Sequence, residues 1–184
     1  MKGIYYLLLL FSTFSFAQDK GGGDKILYDE ATYYIELTYE DSLFWARVGT
    51  DSIKVKAANL VAKKLFKLAL QNYDKLVKEY SESELYIDAL YQKGLMEFYI
   101  EEKDKAKETF KRVVKADREA YKKDSFLNLA AIAIDQKDFK LALEYLGESK
   151  KYSKMYMCGV EYVTDNLKFE RMYDKCIVAI SQKQ

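Results

Sequence analysis

Residues 88–94, Asp88-Ala89-Leu90-Tyr91-Gln92-Lys93-Gly94, and residues 104–114, Asp104-Lys105-Ala106-Lys107-Glu108-Thr109-Phe110-Lys111-Arg112-Val113-Val114, decide how this chain folds. Gly94 precedes Ala106 by twelve residues, and the same pairing of small residues recurs as Ala57/Ala69, Ala130/Ala142 and Thr164/Cys176. The later members of the pairs stand 37, 36 and 34 residues apart, and each is followed four residues on by Tyr73, Phe110, Leu146 or Ile180. A beat of that length, carried on patterns of helical period, predicts a stack of helical hairpins. Small residues at these points let paired helices approach closely. The predicted fold is all-α: a solenoid of about four antiparallel helix pairs over 50–184, with an N-terminal capping segment over 25–49.

Four hairpins follow from the pattern. Ile53 to Lys63 is set against Leu65 to Tyr80, and Leu85 to Ile100 against Asp104 to Lys115. A helix capped by Asp124 or Ser125 and running through Ile134 is set against Phe139 to Lys150, and Met155 to Leu167 against Tyr173 to Ser181. Glu101-Glu102-Lys103 and Asp135 to Asp138 mark two of the turns, whereas the turn of the first hairpin is poorly marked. Within 25–49, Leu27, Ala31, Tyr34 and Thr38 fit a helix face, although Thr32 to Tyr39 is rich in the residues strands prefer. Helix is the favoured reading, with Tyr28, Tyr34, Leu43, Phe44 and Trp45 docking on the end of the stack.

The chain opens with Lys2, an apolar run from Ile4 to Phe16, and Ser15-Phe16-Ala17. That pattern predicts a signal peptide over 1–17, cleaved before Gln18. An uncleaved anchor is the rival, but the run falls short of the roughly 20 residues a membrane-spanning helix needs. Residues 18–24, with Gly21-Gly22-Gly23, then form a flexible lead-in. The expected location is exported and periplasmic, with secretion or outer-membrane association as alternatives. No transmembrane segment is expected after cleavage.

The 184 residues carry 30 basic and 29 acidic side chains, a balance that argues against nucleic acid and against a polybasic membrane-surface role. Neither His nor Pro occurs. Without His there is no Ser-His or Cys-His nucleophile pair, and the commonest transition-metal ligand is missing. No metal, cofactor or catalytic residue is expected. Acid pairs such as Asp29/Glu30 and Glu40/Asp41 read as solvated helix faces. Cys158 and Cys176 could bridge in an exported protein, but two buried thiols are the favoured reading, because the hairpin register sets Cys176 beside Thr164 and Cys158 about 9 Å further along.

The stretches 73–81, 88–94 and 104–114 resemble the tetratricopeptide repeat, and the resemblance extends over about 50–184. More narrowly, it is similar to the repeats of exported envelope proteins such as the Tol-Pal coordinator and the barrel-assembly lipoprotein. The chain departs from the repeat pattern at Lys93, where leucine is usual, and at Glu97, where an aromatic residue is usual. The resemblance implies a superhelix with a concave groove lined by the first helix of each pair. Carried over residue by residue, that groove comprises Lys54, Ala58 and Val61, then Tyr91, Leu95, Phe98 and Tyr99, then Leu127, Ala131 and Ile134, and finally Glu161, Asp165 and Lys168. The Tyr91 to Tyr99 strip is the candidate partner site, extended by Leu127 and Ile134. Two readings of it stay open: a protein partner of the envelope occupies it, or the N-terminal segment or the last hairpin fills it.

The function expected is therefore a non-enzymatic protein–protein interaction scaffold. The alternative is a carbohydrate-binding or accessory protein of an exported enzyme system, and self-association remains a third option.

Overall fold

The computed structural model describes residues 22–153 and 159–182, and the predicted signal peptide, most of the lead-in and Cys158 lie outside them. Among the described residues there are eight α-helices and no strand. They are α1 (Gly23–Glu36), α2 (Asp41–Val48), α3 (Ser52–Glu79), α4 (Tyr86–Tyr99), α5 (Lys103–Lys115), α6 (Lys122–Asp135), α7 (Phe139–Ser149) and α8 (Gly159–Ser181). Residues 37–39 and 119–121 form single 3₁₀ turns. No helix among the described residues is long and apolar enough to cross a membrane.

From α2 onward each helix packs on the next in the chain. Thr109 Oγ1 donates to Glu97 Oε2 at 2.6 Å and Arg112 Nη2 to the Tyr86 hydroxyl at 2.8 Å, which fixes α4 against α5. Lys103 Nζ reaches Asp135 Oδ2 at 2.8 Å, fixing the start of α5 against the end of α6. The turns joining α4 to α5 and α6 to α7 are the same structure repeated 36 residues on. Glu102 N–H bonds to Glu97 C=O at 2.8 Å and Asp138 N–H to Ala133 C=O at 2.9 Å. The intervening Glu101 and Lys137 take left-handed φ values of 70° and 61°. Each turn thereby satisfies the last carbonyls of its helix with a Schellman motif.

Two of the expected hairpins are absent. Ser52–Glu79 is one uninterrupted helix of 28 residues, so Ala57 and Ala69 share α3, with Ala57 exposed and Ala69 fully buried. Gly159–Ser181 is likewise one helix of 23 residues, and Thr164 is exposed while Cys176 is buried. The physical reason is local. Neither segment contains an internal Pro or Gly after its first residue, and 53–70 is built largely of Ala, Leu and Lys, all strong helix formers. Nothing there offsets the loss of continuous i→i−4 hydrogen bonding. The register that set Cys176 beside Thr164 fails with the hairpin. Cys176 is a free thiol packed with Ala133, Ile134 and Ala142.

The segment expected to cap the stack supplies the missing first helix instead. Gly23 and Asp24 belong to α1 rather than to a flexible lead-in. Leu27 and Ala31 are buried in one cluster with Phe66, Ala69, Tyr73 and Leu76. The Tyr28 ring meets Tyr73 edge-on at 5.7 Å, and Asn72 Nδ2 donates to Glu30 Oε2 at 3.0 Å. These contacts make α1 the antiparallel partner of the second half of α3. Three pairs result, α1 with α3, α4 with α5, and α6 with α7, and α8 packs on both helices of the last pair.

The first half of α3 has no counterpart in the other pairs. Asp51 caps it, accepting from Ile53 N–H at 3.0 Å and Lys54 N–H at 3.2 Å. It runs past the end of α4, whose Tyr99 is level with Phe66, and is accompanied by α2 and the 3₁₀ turn over 37–39. Arg47 joins the two, donating from Nε to Asn59 Oδ1 at 3.3 Å and from Nη1 to Thr38 C=O at 3.5 Å.

Candidate functional site

The strip expected on α4 does not form one open surface. Tyr91 is stacked on Tyr121 at 4.5 Å, and its ring also meets Phe110 at 6.1 Å. Burial, with the charge of Asp124 second, raises the Tyr91 hydroxyl well above the usual tyrosine pKa. Leu95 and Phe98 are half-buried against Ala106, Phe110, Leu129 and Ile132. Leu127 is 1% exposed and Ile134 6% exposed, covered in part by Phe169 and Met172 of α8. A side chain that a partner is to touch must be reachable, and these are used by the chain itself. Tyr121 and α8 occupy the room that the groove reading left for a partner.

The small residues fare differently. Gly94, Ala106, Ala130 and Ala142 are buried where α4 to α7 pack. A Cβ built on Gly94 would stand 2.8 Å from Phe110 Cε1, so the aromatic ring of α5 lies directly on the glycine backbone. The two departures from the repeat pattern also explain one another. Glu97 is 2% exposed, and its carboxylate meets Lys93 Nζ at 3.2 Å and the Thr109 hydroxyl. Lys93 in turn pairs with Asp74 of α3. Burial works against the Lys93 ammonium, but the Asp74 hydrogen bond and the Glu97 charge outweigh it and raise its pKa. A charged pair thus sits inside the contact between α3, α4 and α5.

Of the expected strip, Tyr99 stays open, 46% exposed. Its ring stacks on Phe66 at 5.1 Å and meets Phe98 at 6.1 Å. Tyr99 and Phe66, with Tyr39, Phe44, Val48, Arg47 and Asn59, enclose a cleft of about 250 Å³ between α2, α3 and the end of α4. Burial raises the Tyr99 pKa, with the neighbouring Tyr39 adding to the effect and Arg47 opposing it. The phenol is therefore a neutral hydrogen-bonding group at ordinary pH. The cleft combines three exposed or half-exposed aromatic rings with one guanidinium and one amide. Such a set takes a flat or extended apolar group and fixes its orientation at the polar end.

Sequence reasoning missed Tyr39, Phe44, Arg47, Asn59 and Phe66 as partners of Tyr99. The signal was present as the lack of any helix breaker between Ser52 and Glu79. An unbroken α3 must carry its first half beyond the stack, and the short connection over 49–51 returns α2 alongside it.

Two other hollows are less selective. One of about 520 Å³ is lined by Asp74, Lys75, Lys78, Glu79, Lys93 and Arg112, a solvated mixture of signs. The other, about 270 Å³, lies where Leu127 meets Lys150, Tyr152 and Phe169, and Lys150 Nζ sits 4.6 Å over the Phe169 ring. Among the described residues no group of three or more Cys, Asp or Glu is placed to hold a metal ion. No protein-family model, curated protein or solved structure matches the chain.

Proposed function

We propose that this chain is a non-enzymatic interaction scaffold of the cell envelope, a tetratricopeptide-like helical solenoid that holds a partner segment in the Tyr99 cleft. The observation that carries the reading is the open Tyr99 ring, backed by Phe66 and faced by Tyr39, Phe44 and Arg47. Large aromatic rings held rigid by their neighbours give much contact area at little entropic cost, which is the character of an interaction hot spot. The 36-residue recurrence of the Schellman turns, together with buried Gly94/Ala106 and Ala130/Ala142, supports the solenoid part of the reading. The signal-like N-terminus supports the envelope part.

The test is affinity capture from an envelope extract, comparing the native chain with Tyr99→Ala and with Tyr99→Ala/Phe44→Ala. A defined protein complex retained by the native chain and weakened at least tenfold by Tyr99→Ala is the expected result. A complex that survives both variants removes the cleft as its site. The mixture of tyrosines with Arg47 and Asn59 also suits stacking on a sugar ring. A glycan-array signal lost in Tyr99→Ala, with no protein captured, would favour that second reading.

A further inference from the structure

The charge balance of the whole chain hides a strong local segregation. Between Ser52 and Tyr73 there are five lysines, Lys54, Lys56, Lys63, Lys64 and Lys67, and no acid. Lys54 reaches back to Asp51 at 3.9 Å. Lys56, Lys63, Lys64 and Lys67 form no ion pair with any carboxylate among the described residues.

The same stretch exposes apolar side chains on the face turned away from the core. Ala58, Ala62, Phe66, Ala69 and Tyr73 form the buried face of α3. Opposite them lie Ile53, 78% exposed, and Leu60, 63% exposed, with Val61 and Leu68 beside them. At 100° per residue, Ile53, Leu60, Lys64 and Leu68 fall on one stripe, flanked by Lys56, Lys63 and Lys67. Trp45 of the accompanying α2 is 65% exposed. None of these residues lines the Tyr99 cleft.

A soluble helix has no use for two apolar faces, and scattered single residues would not form a stripe. The lysines discriminate among occupants. A second copy of this face would set lysine against lysine, and a neutral apolar partner would leave them unmatched. An anionic lipid surface satisfies both features: apolar side chains and an indole enter the headgroup boundary while lysine stems reach up to phosphate. The arm is suited to this by position, because the first half of α3 runs past the end of α4 with α2 and the 37–39 turn beside it.

We propose that α2 and the first half of α3 form a docking arm for anionic phospholipid, with Ile53, Leu60, Val61 and Trp45 in the interface and Lys56, Lys63, Lys64 and Lys67 at the phosphates. Trp45 is the single tryptophan of the chain, so its fluorescence reports on the arm directly.

The experiment is sedimentation of protein expressed from the full-length sequence with vesicles of phosphatidylglycerol and phosphatidylcholine in equal parts, and with phosphatidylcholine alone. Binding to the anionic vesicles with a shift of Trp45 emission to shorter wavelength, weakened by salt, is expected. Lys56→Glu/Lys64→Glu should weaken binding by at least about thirtyfold, because each surface lysine contributes roughly fivefold and reversal removes at least two such contributions. Leu60→Ser should weaken it several-fold while leaving the far-ultraviolet circular dichroism unchanged. Equal binding to neutral vesicles, vesicle binding without any Trp45 shift, or indifference to the lysine reversals would overturn the proposal. So would a dimer in sedimentation equilibrium that Leu60→Ser abolishes while anionic vesicles bind nothing.

Discussion

Gly94 has no room for a methyl group. Phe110 packs on its backbone at a distance that a Cβ would reduce to 2.8 Å, and Phe110 is itself fully buried. Gly94→Ala gains helix propensity but forces the ring aside, so a net loss of about 1–3 kcal/mol is expected in urea unfolding. The buried Glu97 depends on its donors in the same local way. Thr109→Val keeps the shape but removes the 2.6 Å hydrogen bond, leaving a carboxylate oxygen short of a partner in the interior. A loss of about 2 kcal/mol is expected, readable as a lower denaturant midpoint at unchanged slope. Lys137 lies at the other end of the scale. Its left-handed φ of 61° costs a residue with a Cβ more than it costs glycine. Lys137→Gly should raise stability by a few tenths to about 1 kcal/mol, measured by thermal unfolding.

At the scale of the element, α3 is the critical helix. Its continuity through residues 62–65 separates a fold with an arm from one with an extra hairpin. A proline at exposed Lys64 would sit harmlessly in a hairpin turn. In an unbroken helix it removes a backbone hydrogen bond and clashes with the preceding turn, for about 3 kcal/mol or more. Lys64→Pro is therefore expected to destabilise the protein strongly, seen as lost helical circular dichroism and a lowered melting temperature. Asp51→Ala is the milder counterpart. It removes the side-chain cap of α3 at a cost of about 1 kcal/mol, and it should raise hydrogen exchange at Ile53 and Lys54 first.

Across the whole molecule, buried tyrosines link the stack to pH. Burial raises the Tyr73 pKa to about 12, its bond with Thr32 opposing the effect, and raises Tyr121 to about 12 with help from Asp88. Tyr91 is raised by burial too. Each keeps its proton in the folded chain above the pH at which the unfolded chain releases it. The unfolded state then binds fewer protons, so stability is full below about pH 10 and falls as pH rises toward about 12. Lys93, whose pKa is also raised, adds to the loss in the same window. Alkaline unfolding followed by tyrosinate absorbance should be cooperative. Tyr73→Phe, although it forfeits the Thr32 contact, should make the decline shallower.

Periodicity, propensity and turn chemistry were all written locally. The helices of the described residues, the 36-residue recurrence of α4–α5 in α6–α7, the burial of Gly94, Ala106, Ala130 and Ala142, and the turns at Glu101 and Lys137 follow from residues a few positions apart. The unbroken α3 and α8 were legible as well, in the absence of breakers, although the beat of small residues pointed to hairpins there. What periodicity specifies is which face of a helix is buried, not which helix covers it. That choice rests on contacts between distant residues, such as Thr32 with Tyr73, 41 positions apart. Only the tertiary structure could pair α1 with α3, lay Tyr121 and α8 over the expected strip, and leave Tyr99 open between α2 and α3. The same packing exposed a basic, apolar face on α3 that the charge count of the whole chain had averaged away.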